Sequence, residues 1–322
     1  MKIGMFTANY MDRDLESVFK LMAQHGYEMA ELPAFYGNEH CDIEEVIKDG
    51  GKKIKDLAAN YNITISALSN HPEGQIILGP HTKDTDSLYE GTPEEKIKFG
   101  MDRMKRTAEA ANAMEVPVVC GFIGCERYSR WFPWPYPQGW DEMGQDFVDR
   151  WGEVLDVFEK QGVKFAHEPH PNEYVYNVET ALTSIELLGG HKAWGFNFDP
   201  ANLILQGIDP VIFVKELGSY IYHVHAKDGE IVEHNVKRSG LQPTGKWDRI
   251  DRGFRFRIPG WGSAPWKRIV TELALVGYDY VLSYEHEDVV MSREDGIEKT
   301  IEYLKPLIIK GRYEGRGDKL FE

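Results

Sequence analysis

The feature of this sequence that most limits its fold is a repeated alternation between short apolar runs and amphipathic stretches. The runs are rich in β-branched and aromatic residues and nearly continuous, which is typical of strands buried on both faces. The stretches between them carry apolar residues at helical spacing. The apolar runs comprise residues 2–7, 28–32, 63–69, 116–122, 163–168, 194–199, 220–226 and 280–286. These eight strand–helix units predict an α/β protein folded as one (β/α)8 barrel, the TIM barrel.

A doubly wound open sheet is the rival architecture. It would need a glycine-rich turn for phosphate after its first strand, but no GxGxxG follows residues 2–7 and no GxxxxGK[ST] occurs anywhere. A chain of 322 residues could also hold two domains, yet no linker divides it. We therefore expect residues 1–322 to form a single barrel domain.

The charge balance excludes some classes of partner. The chain has 52 acidic and 37 basic residues and a formal net charge of −15, which disfavours binding to nucleic acid or to a lipid surface. Its three cysteines fit a reducing compartment, and no apolar run is long enough for a membrane span or a signal peptide. We expect a soluble cytoplasmic protein.

Two connections are longer than ordinary strand-to-helix loops. Residues 123–140 contain Trp131, Trp134 and Trp140, and residues 227–262 form a basic segment in an acidic protein. Both follow predicted strands and so belong to the carboxyl-terminal face, where TIM barrels build active sites. We expect them to act as lids or substrate-pocket walls. Surface decoration and an oligomer contact are the alternatives.

Four consecutive predicted strands, the fifth to the eighth, end in residues that commonly bind metal ions. Burying their carboxylates at one rim would be very costly without a cation. Carboxylates with an imidazole suit a divalent ion such as Mn²⁺, Mg²⁺ or Co²⁺, whereas a structural zinc site would need thiolates. The strand ends read His167-Glu168-Pro169-His170, Asn197-Phe198-Asp199-Pro200, His223-Val224-His225 and Tyr284-Glu285-His286-Glu287. The sequence therefore predicts one divalent metal site.

Strand alternation orders the candidates within two of these clusters. His223 and His225 point to the same side, and His225, nearer the end of its strand, is the better ligand. We expect His223 to hydrogen-bond a ligand or the substrate. Glu285 and Glu287 also share a side, so Glu285 is expected to bind the metal and Glu287 to lie behind it.

The ordered strand ends, with Lys2-Ile3-Gly4-Met5 at the start and Gly277-Tyr278-Asp279-Tyr280 before the last strand, resemble the xylose-isomerase-like superfamily of sugar isomerases and epimerases. The resemblance implies a TIM barrel that binds one divalent cation, and we expect this cation to be Mn²⁺. It assigns the ligands as Glu168, Asp199, His225 and Glu285.

The ketose 3-epimerase branch of this superfamily adds a mechanism. There the two ligand glutamates, which match Glu168 and Glu285, remove a proton beside a carbonyl and return it. That branch usually has a histidine three residues after the aspartate, where this sequence has Asn202. The resemblance therefore implies a metal-dependent sugar or cyclitol epimerase or isomerase with a larger or differently functionalised substrate than a free ketose.

Related barrels offer a second interpretation, the catalytic subunit of deglycosidases that cleave 3-oxo-glycosides by elimination. The metal and base requirements are the same, and a small partner subunit would be expected; otherwise we expect a homo-oligomer. A DNA endonuclease of the same fold is disfavoured by the acidic charge. His71 and His170 are additional acid or base candidates, and the substrate-binding candidates are His223, Asn202, Trp131, Trp134 and Arg257.

Overall fold

The computed structural model describes residues 1–126, 138–241, 245–246 and 248–311. Its centre is a closed barrel of eight parallel strands, which confirms the predicted fold class. The strands in chain order are β1 Lys2–Phe6, β2 Met29–Pro33, β3 Thr64–Ser69, β4 Val118–Gly121, β5 Lys164–His167, β6 Trp194–Phe198, β7 Ile221–Ala226 and β10 Val281–Tyr284. Around the barrel the order is β1-β10-β7-β6-β5-β4-β3-β2, so β10 closes the ring between β7 and β1.

Helices surround this barrel. They are α1 Leu15–His25, α2 Ile43–Asp49, α3 Lys52–Asn60, α4 His71–Gln75, α5 Pro93–Ala113, α6 Gly139–Gln161, α7 Val178–Leu187, α8 Pro200–Ile204, α9 Pro210–Leu217, α10 Glu233–Ser239, α11 Trp266–Leu275 and α12 Arg293–Leu304. Local sequence sets their ends. Thr92 and Glu95 form a capping box at the start of α5. Within the part of the chain that the structure describes, no helix is long and apolar enough to span a membrane.

The amphipathic stretch 43–60 forms two helices rather than one. Gly50 and Gly51 lie between α2 and α3 with φ angles of 70° and 64°, in the left-handed region that other residues rarely adopt. The Gly50 N–H bonds back to the carbonyl of Val46 and ends α2. The glycine pair therefore turns the chain within an otherwise continuous helical pattern.

Large aromatic side chains fill the space between the barrel and its helices. Trp151 of α6 stacks on Phe165 of β5 with ring centroids 4.5 Å apart, and Trp194 of β6 packs edge-on against Phe147 of α6. All four are fully buried. Since removing such a ring typically costs about 3–5 kcal/mol, this packing holds β5 and β6, and the residues at their ends, in place.

The connection after β7 is not simply a long loop. Strands β8 Asp228–Ile231 and β9 Phe254–Arg257 pair in an antiparallel two-stranded sheet, with α10 between them in sequence. The Phe254-Arg255-Phe256-Arg257 segment alternates buried phenylalanines with partly exposed arginines, as expected for a sheet with one covered face. This hairpin forms one side of the barrel mouth.

A buried carboxyl group links the loop after β4 to the loop after β5. Glu173 Oε2 accepts hydrogen bonds from the backbone N–H groups of Ile123, at 3.0 Å, and Gly124, at 2.7 Å. Burial raises the pKa of Glu173 to about 7, although these donors oppose the shift. A carboxyl with a raised folded-state pKa favours the folded protein while it is protonated. That contribution is lost as the pH rises from the unfolded-state pKa through the folded one.

The wild-type protein should lose stability as the pH rises from 5 to 8. We therefore predict that Glu173→Gln will lose less stability than the wild type over this interval. The amide oxygen can still accept both backbone hydrogen bonds, but it cannot ionise. The difference in the free energy of unfolding between variant and wild type should change by about 1–3 kcal/mol over this interval. Urea unfolding at pH 5 and pH 8 measures it. Parallel pH dependences in the two proteins would contradict the prediction.

Candidate metal centre and cavity

The four residues predicted as metal ligands come together at the carboxyl-terminal end of the barrel. One potential ligand atom from each lies within 4.8 Å of those of the other three. Three of the side chains are fully buried, and Glu285 is 17% exposed. The set comprises Glu168 directly after β5, Asp199 directly after β6, His225 in β7 and Glu285 directly after β10.

Strand order explains why these residues meet. β5, β6, β7 and β10 are consecutive neighbours in the barrel, and their carboxyl-terminal ends lie at one rim. Local structure then orients Asp199, which caps helix α8. Its Oδ1 accepts the backbone N–H of Ala201 at 2.8 Å, so its other oxygen, Oδ2, is the one that meets the cluster.

The His225 ring supports the assignment of a cation site. Its Nδ1 is buried, lies 2.8 Å from Glu168 Oε2 and 3.3 Å from Glu285 Oε2, and forms no well-aligned hydrogen bond with any described residue. A ring nitrogen and two carboxylate oxygens this close together require a proton or a metal ion among them. Three carboxylates and one imidazole nitrogen match the ligand preferences of a divalent ion. The donor set therefore fits such an ion.

The ammonium group of Lys227 is the second positive group at this site. Its Nζ lies 2.9 Å from Asp199 Oδ2 and 2.7 Å from the Oε2 atoms of both Glu285 and Glu287. It also lies 4.6 Å from the ring centre of Phe256. Lys227 is buried, so its charge acts on these carboxylates with little screening by water.

The acidic groups respond differently to this surrounding charge. Burial raises the pKa of Asp199 to about 8, and nearby Lys227 offsets only part of the effect. Burial would also raise the pKa of Glu285, but Lys227 and His225 outweigh it and lower that pKa to about 2. For His225, the surrounding glutamates overcome the effect of burial and raise its pKa well above the ordinary value. Both shifts favour the protonated forms of His225 and Asp199, so protons compete with a cation for these two groups.

Glu168 is held by several hydrogen-bond donors. Asn197 Nδ2 donates to Oε2 and Asn202 Nδ2 donates to Oε1, both at 2.8 Å. His71 Nε2 lies 3.1 Å from Oε2, while the other ring nitrogen of His71 contacts Ser69 Oγ at 2.8 Å. Asn202 also donates to Asp199 Oδ2 at 3.1 Å. The carboxylate is therefore held in one orientation before any metal binds.

A cavity of about 430 Å³ opens above the cluster, within the size range of small-molecule sites. Four phenylalanine rings contribute to its walls, and its charged lining side chains belong to the metal-ligand cluster or pair with it. The predicted acid or base candidates His71 and His170 both line it. The side chains that line it include Phe6, Phe35, Phe122, Phe256, His71, His170, Glu168, Lys227, Glu285 and Glu287.

The other predicted site residues that the structure describes, His223, Arg257 and Asn202, are not among the residues that line the cavity. His223 is buried below the cluster, and its Nδ1 lies 2.9 Å from Asn197 Oδ1. The side-chain amide of Asn197 donates to Glu168 and so links His223 to that ligand. The Arg257 guanidinium pairs with Asp288 and Glu230, each at 2.9 Å, and Arg257 is not among the described residues that line the cavity. Asn202 holds two ligand carboxylates, as described above.

The predicted aromatic lid is only partly described. Trp131 and Trp134 lie outside the described residues, so their proposed contact with substrate stays a prediction. Trp140 belongs to α6 and stacks on Tyr174 with ring centroids 4.4 Å apart. Trp140 is thus part of the packing around the barrel.

Two charged residues at the site were not assigned there from the sequence. Glu31 is a fully buried carboxylate in β2 that contacts His225, and Lys227 neutralises part of the cluster. A signal for Glu31 was present, because an acidic residue inside an apolar strand run has to face either the barrel interior or a polar partner. Lys227 stands at the start of the basic segment, and nothing in that pattern distinguishes it from the other basic residues as a partner of the ligand carboxylates.

The closed parallel barrel with acidic and imidazole groups at its carboxyl-terminal rim defines the general class of this protein, a TIM barrel with a candidate metal centre. The particular family follows from sequence comparison: residues 19–307 match the xylose isomerase-like TIM barrel family. The chain belongs to this family.

The chain is also similar to individual proteins. The chain is 34% identical to the uncharacterized protein YfiH of Bacillus subtilis, covering 96% of this chain and 99% of that protein. It is 23% identical to fructoselysine 3-epimerase of Escherichia coli O157:H7, covering 79% and 87% of the two chains. The crystal structure of the IOLI protein with a bound zinc atom has 17% identity and a TM-score of 0.66, covering 96% and 98%.

We predict that divalent metal binding will tighten as the pH rises from 6 to 8. Binding has to displace protons from His225 and Asp199, whose pKa values are raised in the metal-free protein. Each displaced proton should make the Mn²⁺ affinity roughly tenfold tighter per pH unit. Calorimetry in buffers of different ionisation enthalpy counts the released protons. Glu173→Gln is the matched control and should show the same pH dependence, whereas a pH-independent affinity in the wild type would contradict the prediction.

Proposed function

We propose that this protein is a divalent-metal-dependent sugar epimerase or isomerase that moves a proton on a carbon next to a carbonyl group. The observation that carries the proposal is the convergence of Glu168, Asp199, His225 and Glu285 at one end of a substrate-sized cavity. His71, His170 and Lys227 line the same cavity, so the metal ligands and these further ionisable groups would face one bound molecule.

The cavity walls suit a carbohydrate. A sugar presents hydroxyl groups at its edges and C–H groups on its faces, and the rings of Phe6, Phe35 and Phe122 give apolar surfaces for those faces. Charged groups are confined to the end formed by the metal-ligand cluster. This division would orient a carbonyl and its neighbouring hydroxyl toward the cluster.

Glu168, Asp199, His225 and Glu285 would hold the cation, which when bound would polarise a substrate carbonyl. The protein must also hold the negative charge that develops on the substrate after a proton leaves. Lys227 lines the cavity beside the ligand carboxylates, so the positive charge of its ammonium group would lie near that developing charge and help to stabilise it.

Proton removal and return are assigned to Glu285 and Glu168. They follow β10 and β5, two strands separated by β6 and β7, so they approach a bound molecule from different sides. One carboxylate removes the proton from a carbon, and the other carboxylate returns a proton to the opposite face. The configuration at that carbon is then inverted. The contacts recorded for Glu285 with Lys227 and His225 are both made by Oε2.

His71 and His170 would support this proton transfer. His71 Nε2 lies 3.1 Å from Glu168, so a proton taken up by that carboxylate has a nearby acceptor. His170 lies beside Phe122 on the cavity wall. Both are also candidates for protonating a leaving group, which the deglycosidase alternative would need.

The relative named fructoselysine 3-epimerase supports the choice of epimerisation. Its name describes a reaction at a sugar carbon, which fits the proton-transfer chemistry inferred here. Asn202 stands where the ketose 3-epimerase branch usually has histidine, which favours a substrate larger or differently functionalised than a free ketose.

The test is solvent-deuterium exchange into free ketoses, inososes and 3-oxo-glycosides by the Mn²⁺-loaded protein, followed by NMR. We expect deuterium to enter one C–H position of at least one ketose or 3-oxo sugar without release of a substituent. Release of the aglycone from a 3-oxo-glycoside would identify the lyase instead. No exchange with any carbonyl sugar would contradict the proposal.

We predict that Glu168→Gln and Glu285→Gln will each lower the exchange rate by about 10²–10⁴-fold while retaining measurable metal binding. The amide oxygen can still coordinate a cation, but the amide cannot accept the proton. Glu298→Gln, at an exposed position on α12, is the matched control and should exchange at the wild-type rate. If both site variants also exchange at that rate, the base is another group, and His71 and His170 become the candidates.

A further inference from the structure

Glu31 is a buried carboxylate that the proposed reaction does not use. It lies in β2 between Ala30 and Leu32, and its side chain is fully inaccessible to solvent. β2 pairs with β1 and β3, yet the contacts of Glu31 reach β7 and β10. Its side chain therefore crosses the barrel interior below the metal-ligand cluster.

The partners of Glu31 converge on its two oxygens. His225 Nε2 lies 3.1 Å from both Oε1 and Oε2, and Ser283 Oγ donates to Oε2 at 2.8 Å. His223 Nε2 is 3.6 Å from Oε2. An ionised carboxylate only accepts hydrogen bonds, so the arrangement places the hydrogen of a neutral His225 ring on Nε2.

The consequence lies at the other side of the His225 ring. With its hydrogen on Nε2, a neutral imidazole has its lone pair on Nδ1, the atom that faces Glu168 and Glu285. Nδ1 is also the buried nitrogen without a well-aligned hydrogen bond among the described residues. Nε2 of His225 therefore contacts the Glu31 carboxylate, and Nδ1 faces the candidate metal centre.

We propose that Glu31 is a positioning residue for the metal centre, which holds His225 in the tautomer and ring orientation that present Nδ1 to the cation. The proposal rests on the proposed metal-dependent function. Removing the carboxylate frees the ring to rotate or to carry its hydrogen on Nδ1, and that tautomer cannot bind a metal through Nδ1.

The first measurement uses the wild-type protein loaded with Zn²⁺ as a diamagnetic probe. Long-range ¹H–¹⁵N NMR spectra of the histidine rings, with His225→Gln for assignment, report which nitrogen carries hydrogen and which binds metal. We expect Nε2 of His225 to be protonated and Nδ1 to be metal-bound. Coordination through Nε2 would overturn the proposal without any change to Glu31.

The second measurement compares Mn²⁺ and Zn²⁺ affinities of the wild type, Glu31→Gln and Ser283→Ala by competition with a fluorescent chelator. Glu31→Gln should weaken binding by about 10–100-fold, as is usual for loss of a carboxylate that orients a ligating histidine. Ser283→Ala is the matched control: it removes a neighbouring donor to Glu31 but leaves His225 paired, and should change affinity less than threefold. Equal affinities of Glu31→Gln and wild type would overturn the proposal.

Both measurements are made without a sugar, so they separate this proposal from the proposed reaction. Nδ1 coordination with a weakened Glu31→Gln site supports the positioning role even if no substrate exchanges deuterium. Thermal denaturation of metal-free Glu31→Gln shows whether this variant is folded. If it is not, the NMR experiment on the wild type identifies the tautomer. Glu31→Asp then measures the affinity, and we expect it to lie below the wild-type value because the shorter side chain reaches Nε2 less well.

Discussion

The central constraint on this structure is the negative charge that the barrel buries at its carboxyl-terminal end. Glu31, Glu168 and Asp199 are buried there, and the partly exposed Glu285 and Glu287 join them around the imidazole of His225 and the ammonium group of Lys227. Burying carboxylates is favourable only where cations and hydrogen-bond donors compensate for lost hydration. Burial, together with the neighbouring Glu168 and Glu285, raises the pKa of Asp199 in spite of nearby Lys227. A bound divalent cation would supply the missing charge.

Much of the fold and the metal-ligand set could be predicted from the sequence because both depend on local pattern. Continuous apolar runs define strands buried on both faces, and parallel strands of a barrel end at a common rim, so Glu168, Asp199, His225 and Glu285 could be grouped without knowing any distance. The helix division at Gly50 and the β8–β9 hairpin were not foreseen. Both depend on turns and strand pairing that apolar periodicity does not encode.

The contributions of Glu31 and Arg257 could not be predicted because they depend on contacts across the structure. Glu31 meets His225, a residue distant in sequence, only because β2 and β7 face each other across the closed barrel. Arg257 lies in the basic segment and was predicted to bind the substrate, but its guanidinium group pairs with Asp288 and Glu230. A charged residue's neighbours, rather than its presence in a charged segment, determine what it can bind.

Asn202 shows how the site divides its tasks. An amide donates hydrogen bonds but cannot carry a proton or a charge at neutral pH, and this one holds Glu168 and Asp199 together. Asn197 and Glu31 are also buried and contact the ligand side chains Glu168 and His225, and His223 lies beside both of them. The groups assigned to proton transfer, Glu168, Glu285, His71 and His170, instead line the cavity. Because position 202 carries an amide, it can hold the ligand carboxylates through hydrogen bonds but cannot exchange a proton with a bound molecule.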